Sequence, residues 1–577
     1  MSKQPPSAGS GQVPDPLRLA AAIAKSPFVP GAISLELFYL EVALLRRRIL
    51  RQDRRQAVAA GKAPNAPAEA VYCIDGYHGG VTFWDWLALP GGGFWYAYCW
   101  NLVGRILLER AGARPFASLK ASPALHSVFD VDAHTYEHMA RRQPAAIAQL
   151  RKAVEAGTIE VVNGTYGQPL CQTVSGEAIV RHFYYGLAAI EKTLGVRVES
   201  FLSQEPLFFP QLPQVLAGFR FQRAVLRTHW APFGSDPAED ATLVRWRGPD
   251  GSEMPTVPRY RFTDYSWKRP DHRGLEKGGL AGADLVRWGE EDVTAFRRQA
   301  EAHGIGQPLV SRVADFHVVD PACPDAPLAN AVSLAGQGLR FVTAKEYFDL
   351  AENDGPVVTY SLDQMPAAIP WGLEGERLLK ARTEAEGRLL VAERLDAIAH
   401  ALGGPSDEAK LNRAWKKLLL AQHHDLHVCA PWLSRRHGQP MGAVGRDLAV
   451  AATQAADAVA ETALRYLASL LDTSSVKGQP LVVFNPSPWP RREYVQAAGR
   501  VIDLPPLGYR VVDGREGGTA PGETDKHPVY STEVRPDGSF CLKKDGELIL
   551  DGGGYLTVWK DGRWHDSRQS VACVRLV

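Results

Sequence analysis

An alternation of short apolar strands with amphipathic helices, which begins at Val71, constrains the fold of this chain more than any other feature. The run Val71-Tyr72-Cys73-Ile74 ends at Asp75-Gly76, which predicts a buried strand followed by a loop. The later predicted strands are 158–162, 199–203, 223–227 and 308–314, and the later predicted helices are 144–157, 176–194, 210–218 and 343–352. Repeated βα units predict a parallel sheet with helices around it, either a barrel or an open sheet.

The pattern changes twice after this α/β part. Long helices rich in Ala and Leu come first, and they predict a helical bundle. These helices are 374–402, 407–424 and 447–471. After Ser474, a strand at 480–484 and further short strands separated by Gly, Pro and Asp turns predict an all-β region. At the start of the chain, residues 1–16 are predicted to be disordered and residues 34–60 helical.

Composition and charge exclude several classes of protein. Apolar residues make up 45% of the 577 residues and charged residues 22%, which is an ordinary globular balance. Lys and Arg number 65 and Asp and Glu 64, so the net charge of +1 gives no indication of a nucleic-acid partner. The polar start of the chain lacks the apolar stretch of a signal peptide, and no apolar run reaches the roughly 18 residues of a membrane span. The seven cysteines form no CxxC pair, which is typical of reduced thiols, so we expect a soluble cytoplasmic protein.

Four polar clusters lie where predicted strands or helices end. They are Asp75–Gly80, Gln204–Pro206, Asp315–His317 and Gln422–Asp425. In parallel α/β sheets, chemistry gathers at the carboxyl ends of the strands. The clusters at strand ends are therefore candidates for one shared pocket.

The residue types in these clusters suit two kinds of chemistry. Hydrolysis of a glycoside needs two facing carboxyl groups, and Glu205 and Asp315 both lie at predicted strand ends. A hard or borderline cation needs histidine nitrogens and carboxylate oxygens, which His78, His424 and one carboxylate would supply. Strand-end carboxylates and helix-end histidines also serve as caps and surface charges. The residues by themselves indicate an α/β enzyme with two carboxylates and a candidate metal site.

Four runs of the sequence resemble motifs of glycoside hydrolase family 38, the α-mannosidases. Leu418–Asp425 resembles the Gln-His-His-Asp run on the helical domain of that family, and Leu481–Pro486 resembles the Phe-Asn-Pro start of its β-sandwich. Ser203–Phe208 stands in the place of the nucleophile motif, and Val313–Phe316 resembles the run that carries the acid/base carboxylate. The resemblance extends over residues 70–577.

The resemblance implies an α/β fold in which a seven-stranded α/β barrel is followed by a three-helix bundle and a short C-terminal β domain. The implied regions are a tail with an N-terminal helix (1–68), a barrel catalytic domain (69–365), a helical bundle (366–473) and a β-sandwich portion that looks truncated beside the family (474–577). A homo-oligomer is compatible with this organisation.

The resemblance also implies a role for each site residue. Glu205 stands at the position of the nucleophile and Asp315 at that of the acid/base. The implied ligands of a divalent metal, expected to be zinc, are His78, His424, Glu205 and Asp75. The implied sugar-binding residues are Asp425, Arg227, Trp84 and His423. An indole such as that of Trp84 suits the apolar face of a sugar ring.

Two departures from the family pattern fall among the implied metal ligands. Gly80 stands where the family has an aspartate ligand, so Asp75 is the alternative carboxylate. Glu205 is one methylene longer than the aspartate of the family.

Three hypotheses follow from the altered site. The first is a retaining hydrolase of terminal α-mannoside-like sugars, the second a sugar-binding protein that has lost catalysis, and the third a metal-dependent carbohydrate deacetylase. A carboxyl separation of about 5–5.5 Å would indicate retention and about 6.5–9.5 Å inversion. We expect the first hypothesis, with a carbohydrate as the substrate.

Overall fold

In the computed structural model of the chain, the described residues are 70–79, 126–142, 144–203, 208–226, 238–261, 290–315, 338–351, 355–365, 372–431, 433–434, 437–514, 530–535, 539–554, 557–560 and 563–566. The chain divides into two compact units. The first contains Met1–Asp396 and Ser406–Glu461, and the second contains Ala397–Pro405 and Thr462–Val577.

Short strands supply the sheets of the first unit. In chain order they are β1 Val71–Gly79, β2 Ser127–Val131, β3 Ile159–Val161, β4 Ser200–Leu202, β5 Arg223–Val225, β6 Val244–Arg247, β7 Glu253–Val257, β8 Leu309–Asp315, β9 Leu339–Phe341, β10 Val357–Val358, β11 Leu433–Ser434 and β12 Gln439–Pro440. The described helices are α1 Ala133–Arg142, α2 Pro144–Glu155, α3 Gly176–Leu194, α4 Leu212–Gly218, α5 Glu290–Ala302, α6 Ala344–Leu350, α7 Gly372–Ala401, α8 Glu408–Ala421, α9 His424–Val428 and α10 Met441–Ser469.

Two five-stranded sheets are built from these strands. In the first, β1 pairs in parallel with β2, β8 and β9, and β3 extends the sheet beside β2. In the second, the order is β10-β6-β7-β5-β4, and only β6 and β7 are antiparallel. The prediction of a largely parallel α/β fold is confirmed. Because the described strands form two separate sheets, the closed seven-stranded barrel stays a prediction.

Strand β1 is longer than the sequence predicted. The prediction ended it at Ile74, but it continues through Asp75-Gly76 to Gly79. Gly76–Gly79 pair with Val128–Val131 of β2, while β8 pairs with the same strand as far as His78. Tertiary pairing on both flanks therefore outweighs the local turn preference of an Asp-Gly pair.

Local sequence explains where several helices begin and end. Ser175 caps α3 by accepting a hydrogen bond from the Ala178 N–H, and Gly195 ends it at a φ of +72°. Thr343 and Glu346 form a reciprocal capping box at the start of α6. The predictions for 176–194 and for 343–352 are confirmed, the first to the residue.

One hydrophobic core joins the α/β part of the first unit to its later helices. It contains Phe129 of β2 and Phe201 of β4 together with Trp415 of α8, all essentially buried. The three long helices α7, α8 and α10 correspond to the segments predicted as 374–402, 407–424 and 447–471. The second prediction was too long, because α8 ends at Ala421 and His424 begins a separate helix. Among the helices that the structure describes, none is long and apolar enough to cross a membrane.

The second unit contains antiparallel strands. They are β13 Pro480–Phe484, β14 Arg491–Val495, β15 Arg500–Leu504, β16 Tyr509–Asp513, β17 Tyr530–Val534, β18 Phe540–Lys544, β19 Glu547–Gly553, β20 Thr557–Lys560 and β21 Arg563–Asp566. Asn485, just after β13, donates from Nδ2 to the carbonyls of Trp489 and Pro505, both at 2.8 Å. The Phe-Asn-Pro run thus ties two loops of this unit together.

Several sequence predictions concern residues outside the described ranges. The disordered tail 1–16 and the helix 34–60 lie outside the described residues. The bounds of the four predicted regions likewise stay predictions.

Candidate active site

The candidate site begins at the carboxyl end of β1. His78 lies at the same level as Asp130 on β2 and Asp315 on β8, because the strand register pairs it with both. Asp315 is the last residue of β8. Parallel strands thus bring residues from three distant parts of the sequence to one edge of the sheet.

A buried carboxylate fixes His78. The His78 Nδ1 lies 2.8 Å from Asp130 Oδ2, and the two residues are 3% and 0% exposed. The other oxygen of Asp130 accepts hydrogen bonds from Asn163 Nδ2 at 2.8 Å and Gln168 Nε2 at 3.1 Å. Three donors thus surround the carboxylate. Because a carboxylate only accepts hydrogen bonds, the proton of the His78 ring lies on Nδ1 and is donated to Asp130. Nε2 of His78 then faces away from that carboxylate.

His424 opens α9 and is held in the same way by a main-chain carbonyl. Its Nδ1 lies 2.8 Å from the carbonyl oxygen of Gln168, which also accepts from the His424 backbone N–H at 3.1 Å. Its Nε2 is buried and has no hydrogen-bond partner within the described ranges of the chain. Burial lowers the pKa of His424, so the ring is neutral and this nitrogen presents a lone pair. The ring centroids of His78 and His424 are 5.6 Å apart.

Gln168 connects the two histidines. Its side-chain amide donates to Asp130, and its carbonyl accepts from His424. Gln168 and Asn163 have φ values of +46° and +74°, a region that residues with a side chain seldom occupy. Backbone strain of this kind persists where surrounding contacts enforce it, and it is common at functional sites.

The first residue of the Gln-His-His-Asp run is also locked in place. The Gly167 N–H donates to His182 Nδ1 at 3.3 Å, so Nε2–H of His182 donates to Gln422 Oε1 at 3.1 Å. Burial lowers the pKa of His182 to about 3, which keeps this ring neutral. Gln422 therefore fixes the end of α8 against α3.

His423 packs flat on His424, with ring centroids 4.4 Å apart. Its Nδ1 accepts a hydrogen bond from the Asp425 N–H at 3.2 Å. Burial lowers the pKa of His423 far below its usual range, and the neighbouring His424 and His78 lower it further. His423 is thus a neutral, buried support for His424.

Asp425 is the residue of this run that reaches solvent. Its side chain is 21% exposed, whereas those of His423 and His424 are 2% exposed. Its Oδ2 lies 3.6 Å from His424 Nε2 and 3.8 Å from His423 Nδ1. The carboxylate is therefore placed beside the unpartnered nitrogen of His424 and can contact a molecule that enters from solvent.

The donor set fits a divalent metal. Ligand atoms of His423, His424 and Asp425 lie within 4.8 Å of one another. His423 Nδ1 already accepts from a main-chain N–H, so His424 Nε2 and the Asp425 carboxylate are the better donors of this triad. A histidine whose Nδ1–H is bound to a carboxylate or carbonyl, as in His78 and His424, is the usual form of a metal ligand.

The structure brings together four of the predicted site residues, namely His78, His423, His424 and Asp425. Asp75 and Asp315 lie on β1 and β8, but their side chains are not described. Glu205, Arg227 and Trp84 lie outside the described residues. Sequence reasoning missed Asp130, Asn163 and Gln168. Asp130 follows the apolar pair Val128-Phe129, so a search of all carboxylates after short apolar stretches would have found it.

The fold and the site define a mixed α/β protein with a histidine–carboxylate centre at the carboxyl edge of a parallel sheet. Residues 117–301 match the family model described as the N-terminal domain of glycosyl hydrolases family 38. The chain is therefore a protein similar to the glycosyl hydrolases of family 38, as its motifs predicted.

Solved structures agree with this fold. An α-mannosidase from Enterococcus faecalis V583 is 16% identical, with a TM-score of 0.56, and the match covers 83% of this chain and 61% of that one. A family 38 glycosyl hydrolase from Enterococcus faecalis is also 16% identical, with a TM-score of 0.54 and coverages of 84% and 60%. This chain thus spans about three fifths of the length of both proteins. No curated protein matches the sequence.

Proposed function

We propose that this protein is a retaining glycosidase that cleaves a terminal α-mannoside-like sugar. The observation that carries the proposal is the pairing of His78 with His424 at the sheet edge where Asp315 ends β8. The similarity to family 38 supports glycoside hydrolysis as the reaction class. The proposal includes the predicted seven-stranded barrel, the three-helix bundle and the β-sandwich portion.

In this proposal, one carboxyl group is the nucleophile and a second is the general acid and base. Glu205 attacks the anomeric carbon while Asp315 donates a proton to the leaving oxygen, which gives a glycosyl–enzyme ester and a free alcohol. Asp315 then takes a proton from water as the water oxygen attacks the anomeric carbon and releases Glu205. Two inversions at the same carbon give net retention of configuration.

The histidines and their neighbours orient the sugar. We propose His78, His424, Glu205 and Asp75 as the residues that would hold a divalent cation, with zinc the expected metal. Such a cation supplies positive charge against the hydroxyl groups of the sugar ring. Asp425 accepts hydrogen bonds from those hydroxyls, and we place Arg227 and Trp84 around the same sugar. His423 acts on the sugar site through the ring of His424, on which it packs.

The test is the stereochemical course of hydrolysis of 4-nitrophenyl α-mannoside by the full chain, followed by proton NMR. We expect the α-anomer of the sugar to appear before mutarotation. In Asp315→Asn, hydrolysis of an alkyl α-mannoside falls much further than that of the aryl substrate, because nitrophenolate leaves without a proton. Release of the β-anomer would contradict the nucleophilic role of Glu205.

Two other outcomes would point to the alternative hypotheses. Saturable mannoside binding without turnover would favour a sugar-binding protein. Release of acetate from an acetylated sugar, with its glycosidic bond intact, would favour a deacetylase.

A further inference from the structure

The interior of the first unit contains a guanidinium group that forms no ion pair with any residue that the structure describes. Arg382 lies on α7 and is 2% exposed. Its Nη2 donates to the carbonyl oxygen of Thr173 at 3.1 Å and to Oγ1 of the same residue at 3.3 Å. Its Nε and Nη1 are buried and have no hydrogen-bond partner among the residues that the structure describes. Both acceptors of Nη2 are neutral, so the guanidinium retains unused donors.

A carboxyl group on the same helix attracts this charge but forms no direct ion pair with it among the described residues. Glu386 lies one helical turn later on α7, and its Oε1 accepts a hydrogen bond from the Ser175 hydroxyl. No ion pair between Arg382 and Glu386 forms in the part of the chain that the structure describes. Burial raises the pKa of Glu386, and the attraction of Arg382 lowers it by less. The Glu386 carboxyl group therefore accepts the hydrogen bond of the Ser175 hydroxyl. It makes no direct ionic contact with Arg382 among the described residues.

The imidazole of His182, which feels the charge of Arg382, is uncharged. Burial lowers the pKa of His182 to about 3, and the charge of Arg382 lowers it further. This ring is thus neutral at pH 7. Burial lowers the pKa of Arg382 itself to about 9, so the guanidinium keeps its proton at that pH. The attraction of Glu386 opposes this fall in pKa, but a buried cation without a direct ion pair is strongly unfavourable unless an anion accompanies it.

We propose that Arg382 binds a small inorganic anion, chloride in the first instance, through the N–H groups that have no acceptor in the described part of the chain. The anion lies against α7, beside the turn Cys171–Thr173. A small monovalent anion supplies the missing charge, while a larger one would have to displace buried side chains. The site is separate from the candidate active site, but His182 connects the two regions through its hydrogen bond to Gln422.

The test compares the thermal unfolding of wild type and Arg382→Met while chloride replaces gluconate at constant ionic strength. We expect the wild-type Tm to rise saturably by about 2 °C, because a ligand that binds only the folded state stabilises it. Arg382→Met should show no such rise. Arg388→Met is the matched control, because Arg388 lies on the same helix with a side chain that is 56% exposed, and it should respond as wild type does.

A second measurement decides the matter even if Arg382→Met does not fold. Crystals of the wild-type protein soaked in bromide should show an anomalous peak within hydrogen-bond distance of Arg382 Nε or Nη1. A site that holds only water would overturn the proposal. So would an equal chloride response in wild type and Arg382→Met. Neither readout depends on glycosidase activity.

Discussion

Replacing Glu205 with glutamine is expected to lower kcat on an aryl α-mannoside by about 10³-fold or more, which is roughly 4 kcal/mol of lost transition-state stabilisation. An amide oxygen is a far weaker nucleophile than a carboxylate, so the glycosyl–enzyme ester no longer forms at a useful rate. The measurement is steady-state turnover of 4-nitrophenyl α-mannoside by the purified variant.

Glu199→Gln is the matched control for that variant. Glu199 lies directly before β4, six residues from Glu205, with a side chain that is 40% exposed and 3.9 Å from Arg223. Its replacement removes the same charge from the same region and should leave kcat within about twofold of wild type. Wild-type turnover in Glu205→Gln would remove Glu205 from the mechanism. Loss of bound metal together with turnover would assign it a ligand role as well.

Replacing Asp130 with asparagine is expected to weaken divalent-metal binding by about 10–100-fold, a typical effect of losing the partner of a ligand histidine. The carboxylate accepts from His78, Asn163 and Gln168 together. A single amide oxygen cannot satisfy all three donors, and the new NH₂ group faces at least one of them. His78 would then lose the fixed orientation that turns Nε2 away from Asp130. Competition with a chelator measures the change in affinity.

Asp240→Asn separates this effect from a general loss of stability. Asp240 is a buried aspartate, 7% exposed, and lies 3.0 Å from His303 Nδ1 within the first unit. Its replacement removes a comparable carboxylate–histidine pair away from the candidate site. We expect both variants to unfold at lower temperature, but only Asp130→Asn to lose metal affinity. Equal metal affinity in folded Asp130→Asn and wild type would contradict a positioning role for Asp130.

Elements that depend on local sequence were predicted well. The helix at Gly176–Leu194 was predicted to the residue because a serine cap and a left-handed glycine bound it. The strand Pro480–Phe484 was also predicted to the residue, because an apolar run precedes a turn there. Such signals lie within a few residues of the boundary that they define.

Features set by tertiary pairing were not predictable from one sequence. β1 runs to Gly79 because β2 and β8 flank it, and those strands come from other parts of the chain. The hydrogen bond that fixes His424 joins residues 256 positions apart. Its acceptor is the main-chain carbonyl of Gln168, which no sequence motif marks. The resemblance to family 38 identified the two histidines, but it gave no indication of the buried network that holds them.

The central claim is that His78 and His424 form the metal-binding part of this site. Elemental analysis of the purified full chain tests that claim most directly, with His78→Ala/His424→Ala compared with wild type. His303→Ala is the control, because this histidine pairs with Asp240 instead. We predict close to one divalent metal ion per chain in wild type and in the control, and none in the double variant. Equal metal content in wild type and the double variant would contradict the claim, as would wild-type protein that binds no divalent metal when it is supplied.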